Sequence, residues 1–276
     1  MELPNIGAIE HITVDGLQIR VARTGRNDGL PILMLSPWPE SMFAFRDVLP
    51  SIQDLGPIVI VDLPGFGRSQ GRLDLMAPKA QAEFIIKLAV HLGLSRVHAI
   101  APDIGTPTIL YAALQQPNLF ESIVVGAGAT QVDLTGELLR GMIDSPVGFY
   151  GEMDGGDVVL QILGAFLKPA APEAVLEDYR LAAAGCRLED QVNFVRAYKD
   201  QLPALMDQVR TIDVPVMVLC GKTDPFVPPS DGELLSGKLR HSAYTALDGG
   251  HFVWEQCPEA YGAHLRKWID GAHKLH

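Results

Sequence analysis

Short apolar runs alternate with helical patterns along this chain, and this alternation constrains its fold more than any other feature. Five runs, each ended or followed by glycine or proline, have the length and composition of strands buried on both faces: "PILMLS" (31–36), "PIVIVDLP" (57–64), "RVHAIAP" (96–102), "ESIVVGAG" (121–128) and "VPVMVLCG" (214–221). Between them lie segments such as "PKAQAEFIIKLAVHLG" (78–93), which keeps its apolar side chains on one helical face. Strands that alternate with helices predict an α/β fold with a mostly parallel, doubly wound sheet.

Two regions depart from this alternation. Residues 10–25, "EHITVDGLQIRVARTG", alternate apolar and polar side chains about Asp15–Gly16, which predicts a β-hairpin. Residues 133–208 contain several helical patterns and no convincing strand, so we interpret them as an inserted helical cap. The sequence thus predicts a core domain formed by residues 1–132 and 209–276, with the cap at 133–208.

Composition limits the partners of this chain. It has 33 acidic and 22 basic side chains, a formal net charge of −11 that disfavours nucleic acids and anionic membranes. No apolar stretch approaches a membrane span, and "MELPNIGAIEH" (1–11) lacks the segments of a signal peptide. The three cysteines (186, 220 and 257) lack metal-ligand spacing. We therefore expect a cytoplasmic protein without cofactor or metal that acts on a small molecule and water, and homo-oligomers are compatible with the sequence.

Three residues that could carry chemistry follow predicted strands, where open parallel sheets bind ligands. Asp103 in "AIAPDIGTP" has alanine two positions before it and glycine two positions after it, as a sharp strand-to-helix turn requires. Asp224 lies just past the end of the last of these runs, and His251 follows "HSAYTALD" (241–248) and two glycines in a loop. The three residues occur in the order nucleophile, orienting acid, base. Each residue also has a structural interpretation, as a helix cap, a turn residue and a loop histidine. Three such placements in one fold favour the catalytic interpretation.

These loops, with "SPWPESMFAFRDVLP" (36–50) and "VDLPGFGRS" (61–69), make the chain resemble the α/β-hydrolases that use an aspartate nucleophile. It is most similar to the epoxide hydrolases and less closely to the haloalkane and haloacetate dehalogenases. The resemblance implies an α/β-hydrolase fold, a cis bond at Trp38–Pro39, and an oxyanion hole formed by the backbone N–H groups of Trp38 and Ile104. One departure is a Ser-Pro pair where the family has His-Gly.

An aspartate nucleophile determines the reaction class. Its attack on an acyl ester would form an anhydride, whose carboxylate leaves more readily than the displaced alkoxide, so esterase activity is disfavoured. A carboxylate can instead attack an sp³ carbon and form an alkyl ester, which water activated by His251 would hydrolyse while Asp224 orients the imidazole. We therefore predict a hydrolase that opens an epoxide of an apolar small molecule to a diol.

Epoxide opening needs an acid for the leaving oxygen, and the resemblance implies two cap tyrosines. Tyr150 in "FYGEMDGG" is the first candidate. The place of the second is occupied by Val195, for which Tyr198 or Tyr179 can substitute. We expect the substrate to contact Trp38, Tyr179 and Phe252.

Two alternatives remain open. A dehalogenase acting on a small organohalide would use the same nucleophile, but Ile104 supplies no side-chain donor for a halide and the Trp38 indole supplies one. A non-catalytic small-molecule-binding protein would retain the fold without turnover. The Ser-Pro pair and Val195 favour this second alternative, whereas three competent triad residues count against it.

Overall fold

Eight strands form one sheet in the computed structural model, which describes residues 2–274. The strands are β1 (Ala8–Val14), β2 (Leu17–Gly25), β3 (Ile32–Leu35), β4 (Pro57–Val61), β5 (Val97–Ile100), β6 (Phe120–Val125), β7 (Val216–Gly221) and β8 (Ser242–Leu247). Their spatial order is β1-β2-β4-β3-β5-β6-β7-β8. The β1–β2 and β2–β4 pairs are antiparallel and all later neighbours are parallel, so the predicted mostly parallel sheet is confirmed.

The central strands lie inside the molecule because their sequences are apolar almost throughout. Every residue of β3, β5 and β7 is buried. Strands covered on both faces show no alternation of polar and apolar residues, which is why continuous apolar runs predicted them.

The first two strands form the predicted hairpin. Val14 pairs with Leu17 across the turn. Asp15 and Gly16 adopt φ angles of 51° and 78°. Two consecutive left-handed residues form the turn whose twist matches that of paired strands, and Asp-Gly is a favoured sequence for it.

Ten α-helices lie within residues 2–274. They are α1 (Pro78–His91), α2 (Gly105–Gln115), α3 (Glu137–Asp144), α4 (Gly155–Phe166), α5 (Glu173–Ala183), α6 (Arg187–Arg196), α7 (Tyr198–Met206), α8 (Pro229–Lys238), α9 (Val253–Gln256) and α10 (Pro258–Lys267). The predicted helix near residues 78–93 is α1, with proline in its first turn, where no intrahelical N–H bond is lost. None of the helices in this part of the chain combines the length and apolar character that crossing a membrane requires.

Five of these helices, α3 to α7, are termed here the inserted helices because they lie between β6 and β7 in the chain. The described structure has no strand between these two. Two of these helices are separated by a single residue, since α6 ends at Arg196 and α7 begins at Tyr198. The division of the chain into a core domain and a cap stays a prediction.

A buried ion pair joins the inserted helices to the sheet. The Arg20 guanidinium on β2 lies 3.1 Å from both carboxylate oxygens of Asp178 on α5. It also lies 3.5 Å from an Asp62 oxygen. Ser41 Oγ donates a hydrogen bond of 2.6 Å to Asp178. Two buried carboxylates therefore share one buried guanidinium.

Candidate active site

Asp103 occupies a sharp turn between β5 and α2. Its φ of 52° lies in the left-handed region, which non-glycine residues adopt infrequently. A Cβ on Gly105 would lie 3.0 Å from the Ala101 Cβ, so the two flanking positions must carry small residues. No side chain caps α2. The Asp103 carboxylate therefore does not cap the N-terminus of α2.

The two carboxylate oxygens of Asp103 have different neighbours. The backbone N–H of Trp38 donates to Oδ2 over 2.6 Å. His251 Nε2 lies 3.6 Å from Oδ1. Asp103 and His251 are 8% and 5% exposed, so neither contact is made in bulk water. One oxygen is thus held by an amide, while the other faces the imidazole.

Asp224 holds His251 from the opposite side. Its Oδ2 lies 2.8 Å from His251 Nδ1. Its Oδ1 accepts hydrogen bonds from the backbone N–H groups of Phe226 and Val227, over 2.8 and 2.9 Å. Because a carboxylate can only accept, Nδ1 carries the proton and Nε2 faces Asp103. The structure brings together the three residues that the sequence placed after separate strands.

The two carboxylates determine the charge of His251. Burial lowers the pKa of this imidazole, but the charge of Asp224 and the proximity of Asp103 outweigh burial and raise it to about 10. The two carboxylates therefore favour the protonated imidazole over the neutral one.

The loop after β3 supplies the amide that contacts Asp103. Its Trp38–Pro39 bond is cis, as the family resemblance implied. Ser36, which stands where the family has histidine, donates from Oγ to Asp62 Oδ1 over 2.7 Å. Asp62 Oδ1 also accepts from the Met42 N–H over 2.8 Å. The Ser-Pro pair is therefore anchored, and the Trp38 N–H points at Asp103. The matching role of the Ile104 N–H stays a prediction.

A cavity opens beside Asp103. Its lining is apolar apart from Asp103, Tyr198 and His251. The other lining residues are Trp38, Pro39, Ile104, Ala129, Leu139, Met142, Ile162, Val195, Phe226, Val227 and Phe252. The inserted helices contribute Leu139, Met142 and Ile162, together with Val195 and Tyr198. A pocket of this kind suits a small apolar ligand.

The three candidate tyrosines lie in different surroundings. Tyr198 lines the cavity, and burial, followed by the charges of Asp103 and Asp231, raises its pKa well above the ordinary value. Tyr179 is fully buried and its hydroxyl donates to Glu255 over 2.5 Å. Tyr150 is half-buried against Phe149. Neither Tyr179 nor Tyr150 is among the lining residues that the described chain contributes. Of the substrate contacts expected from the sequence, Trp38 and Phe252 line the cavity and Tyr179 does not.

One buried amide at this site was not found from the sequence. Gln191 on α6 accepts a hydrogen bond of 2.9 Å from the Trp38 indole Nε1. The available signal was its position on the apolar face of α6, three residues after Leu188 and four before Val195, which are both buried. A polar residue on an apolar helical face requires a specific partner.

The chain is similar to known proteins over almost its whole length. It is 22% identical over 272 residues to YugF, an uncharacterised hydrolase of Bacillus subtilis, covering 96% of this chain and 98% of that protein. A soluble epoxide hydrolase of a Corynebacterium species is 26% identical over 112 residues, 41% of this chain and 38% of its own. The haloalkane dehalogenase DbeA of Bradyrhizobium elkani superposes with a TM-score of 0.82 at 23% identity, covering 98% of this chain and 99% of its own.

The fold and the family are therefore established together. The structural match to DbeA shows that the predicted α/β-hydrolase fold is correct. Residues 32–263 match the model of a family described as the alpha/beta hydrolase family. This match extends from β3 to α10 and includes Asp103, Asp224 and His251. The chain belongs to the alpha/beta hydrolase family.

Proposed function

We propose that this protein is an aspartate-nucleophile hydrolase that opens an epoxide of an apolar small molecule to a diol. The proposal rests on the different neighbours of the two Asp103 carboxylate oxygens. Oδ2 accepts a hydrogen bond from the Trp38 amide, and Oδ1 faces His251. The apolar cavity beside it suits an apolar substrate. In this proposal the inserted helices act as the cap and provide one wall of the substrate site.

The first step forms a covalent ester. Asp103 Oδ1 attacks an epoxide carbon, and the carbon–oxygen bond of the strained ring breaks. The leaving oxygen takes the proton of the Tyr198 phenol, whose raised pKa keeps it protonated until then. The product of this step is an alkyl ester of Asp103 with a free hydroxyl, together with a Tyr198 phenolate.

The ester changes the charge balance at His251. Alkylation removes the negative charge of Asp103, one of the two carboxylates that raise the pKa of the imidazole. The proton that His251 then releases restores the Tyr198 phenol. His251 thereby becomes a base at the stage of the reaction at which a base is needed.

The second step hydrolyses the ester. A water molecule attacks the carbonyl carbon of Asp103 and gives a proton to His251 Nε2, while the Trp38 N–H stabilises the charge that develops on Oδ2. The bond between the carbonyl carbon and the original Oδ1 breaks, and that oxygen leaves as the second hydroxyl of the diol. The water supplies one proton to this hydroxyl and one to His251, which returns the protein to its resting state.

The hydrogen-bond donors around the cavity favour an epoxide over an organohalide. A halide leaving group needs several donors in the cavity, but Ile104 offers none from its side chain. The Trp38 indole N–H, the one indole donor among the lining residues of the described chain, is already bonded to Gln191. The Tyr198 hydroxyl provides a single acid, which matches the single oxygen of an epoxide.

Single turnover in ¹⁸O-water tests the nucleophile. Protein in excess over styrene oxide should incorporate one ¹⁸O atom into the peptide that contains Asp103, because water attacks the carboxyl carbon. Asp103→Asn should form no alkyl-enzyme. Labelled diol with unlabelled Asp103 would exclude the covalent route, and saturable binding without diol would instead indicate a binding protein.

Replacement of the phenol tests the leaving group. Tyr198→Phe should lower the rate of epoxide opening by about 10²-fold or more, the usual contribution of a general acid. Tyr179→Phe is the matched control, since its phenol is buried away from the cavity. Halide release from a bromoalkane that persists in Tyr198→Phe would support the dehalogenase alternative.

A further inference from the structure

The side-chain amide of Gln191 is oriented by three hydrogen bonds. Its Oε1 accepts from the Trp38 indole Nε1 over 2.9 Å. Its Nε2 donates to the carbonyl oxygens of Gly65 and Ala182, over 3.0 and 2.8 Å. A reversed amide would place an N–H against the indole N–H and an oxygen against two carbonyl oxygens, so one orientation is allowed.

These bonds connect α6 to three other segments at one buried point. Gly65 belongs to the loop after β4, Ala182 to α5 and Trp38 to the loop after β3, whereas Gln191 lies on α6. Gln191 is 1% exposed, so water cannot replace a bond that is lost. The position of the Trp38 ring is therefore fixed from the inserted helices.

The same residue presents its backbone amide to the nucleophile. The Trp38 N–H donates to Asp103 Oδ2 over 2.6 Å, and its side chain lines the cavity. The indole and the backbone amide belong to one residue, so a ring held at its Nε1 restrains the Cα next to that amide, and oxyanion stabilisation depends on donors placed before the reaction begins. Accurate placement of one ring nitrogen thus also places the catalytic amide.

We propose that Gln191 is a positioning residue, which aligns the Trp38 amide with Asp103 and occupies the indole N–H of Trp38. This inference rests on the proposed function for its kinetic consequence. It assigns to α6 a part in the hydrolysis of the alkyl-enzyme, although Gln191 itself is not among the cavity-lining residues of the described chain.

The test compares Gln191→Met with Gln81→Met. Gln81 is also a fully buried amide, and its Nε2 donates to the Pro64 carbonyl over 2.8 Å, next to Gly65. Both substitutions therefore remove a buried amide of similar size near the same loop. Gln81 has no hydrogen bond to Trp38, so it reports the general cost of such a loss.

We expect Gln191→Met to slow the hydrolysis of the alkyl-enzyme by about tenfold or more, less than removal of an oxyanion donor. The ratio kcat/KM should change by no more than about twofold, because it reports the steps up to alkylation and not the hydrolysis. In ¹⁵N spectra, with the Trp38 signals assigned through Trp38→Phe, the indole N–H should exchange with solvent at least about tenfold faster. The Trp38 backbone amide should lose the downfield shift of a short hydrogen bond. Gln81→Met should leave the kinetics and both signals close to those of the wild type.

Unchanged Trp38 signals in Gln191→Met, or equal slowing in both variants, would overturn the inference. A wild-type protein that forms no alkyl-enzyme would overturn the proposed function. In that case the backbone amide signal of Trp38 in Gln191→Met still decides whether Gln191 positions this group.

Discussion

At the scale of single residues, the site depends on the charge of Asp103. Burial lowers the pKa of His251, and Asp224 and Asp103 together raise it to about 10. An imidazolium ion cannot accept a proton from water, so the raised pKa disfavours the action of His251 as a base while Asp103 is charged. In the proposed mechanism, alkylation neutralises Asp103 and removes one of the two charges that raise this pKa. The order of the two proposed steps would therefore follow from the electrostatics of three residues.

The charge of His251 predicts how stability depends on pH. The folded protein keeps this proton up to a pKa of about 10, whereas the unfolded chain releases it near the ordinary value of 6.5. The contribution of the His251 proton to the free energy of unfolding is fully present below pH 6.5. It is lost as the pH rises toward 10, by at most about 1.4 kcal/mol per pH unit. Urea unfolding at several pH values should show a steeper decline for the wild type than for His251→Gln. Equal slopes would mean that His251 is neutral in the folded protein.

At the scale of elements, the turn at Asp103 depends on the loop after β6. The Asp103 N–H donates to the Gly126 carbonyl over 2.9 Å. Thr106 Oγ1 accepts from the Gly126 N–H over 3.1 Å. A Cβ on Gly128 would lie 2.1 Å from the Asp103 carbonyl oxygen, closer than any side chain tolerates. The turn after β5 and the loop after β6 thus fix the position of Asp103 through close contacts.

This close approach predicts the effect of one methyl group. Gly128→Ala should lower the free energy of unfolding by about 1–3 kcal/mol, as overpacked sites do, and should lower kcat because the turn moves. Gly141→Ala in α3 is the control, since a Cβ there has no neighbour within 4 Å. That substitution should instead stabilise the helix, by up to about 1 kcal/mol. Chemical denaturation measures both, and similar effects in both variants would contradict the packing explanation.

At the scale of the whole molecule, the sheet and the inserted helices are joined through buried polar groups. Arg20 on β2 pairs with Asp178 on α5, and Gln191 on α6 bonds to loops of the sheet. When one partner of a buried polar contact is missing, the other group keeps the free-energy cost of leaving water without the compensating bond. Such contacts therefore favour the one arrangement of sheet and helices in which all partners are paired. The cavity wall provided by the inserted helices is thereby kept in a fixed position against Asp103.

Removal of the buried cation tests how much the contact between the sheet and the inserted helices contributes to stability. Arg20→Leu removes the guanidinium that the buried carboxylates of Asp62 and Asp178 share, leaves Asp178 with the half-exposed Arg68 guanidinium at 3.8 Å, and should cost about 3–5 kcal/mol of unfolding free energy. Arg180→Leu, which breaks an exposed pair with Glu177 on the same α5, should cost no more than about 1 kcal/mol. Urea denaturation compares the two. If Arg20→Leu lowers the free energy of unfolding as little as the control does, the buried ion pair does not stabilise the contact between the sheet and the inserted helices.

The fold and the order of the triad could be predicted because each depends on local sequence. Continuous apolar runs mark strands buried on both faces, and a small residue on each side of Asp103 marks a sharp turn. The division of α6 from α7 was not predicted, because helix ends are weakly encoded by periodicity alone. Gln191 was also missed, since its partner Trp38 lies 153 positions away in the chain.

By itself the sequence determined that strands and helices alternate and that an aspartate, an aspartate and a histidine follow three strands. These features arise from side-chain periodicity and steric limits within a few residues. The tertiary structure alone decided that Oδ1 of Asp103 faces His251, that Tyr198 faces the cavity, and that Tyr179 bonds to Glu255 instead. Which side chains meet depends on how distant segments pack, and no local pattern carries that information.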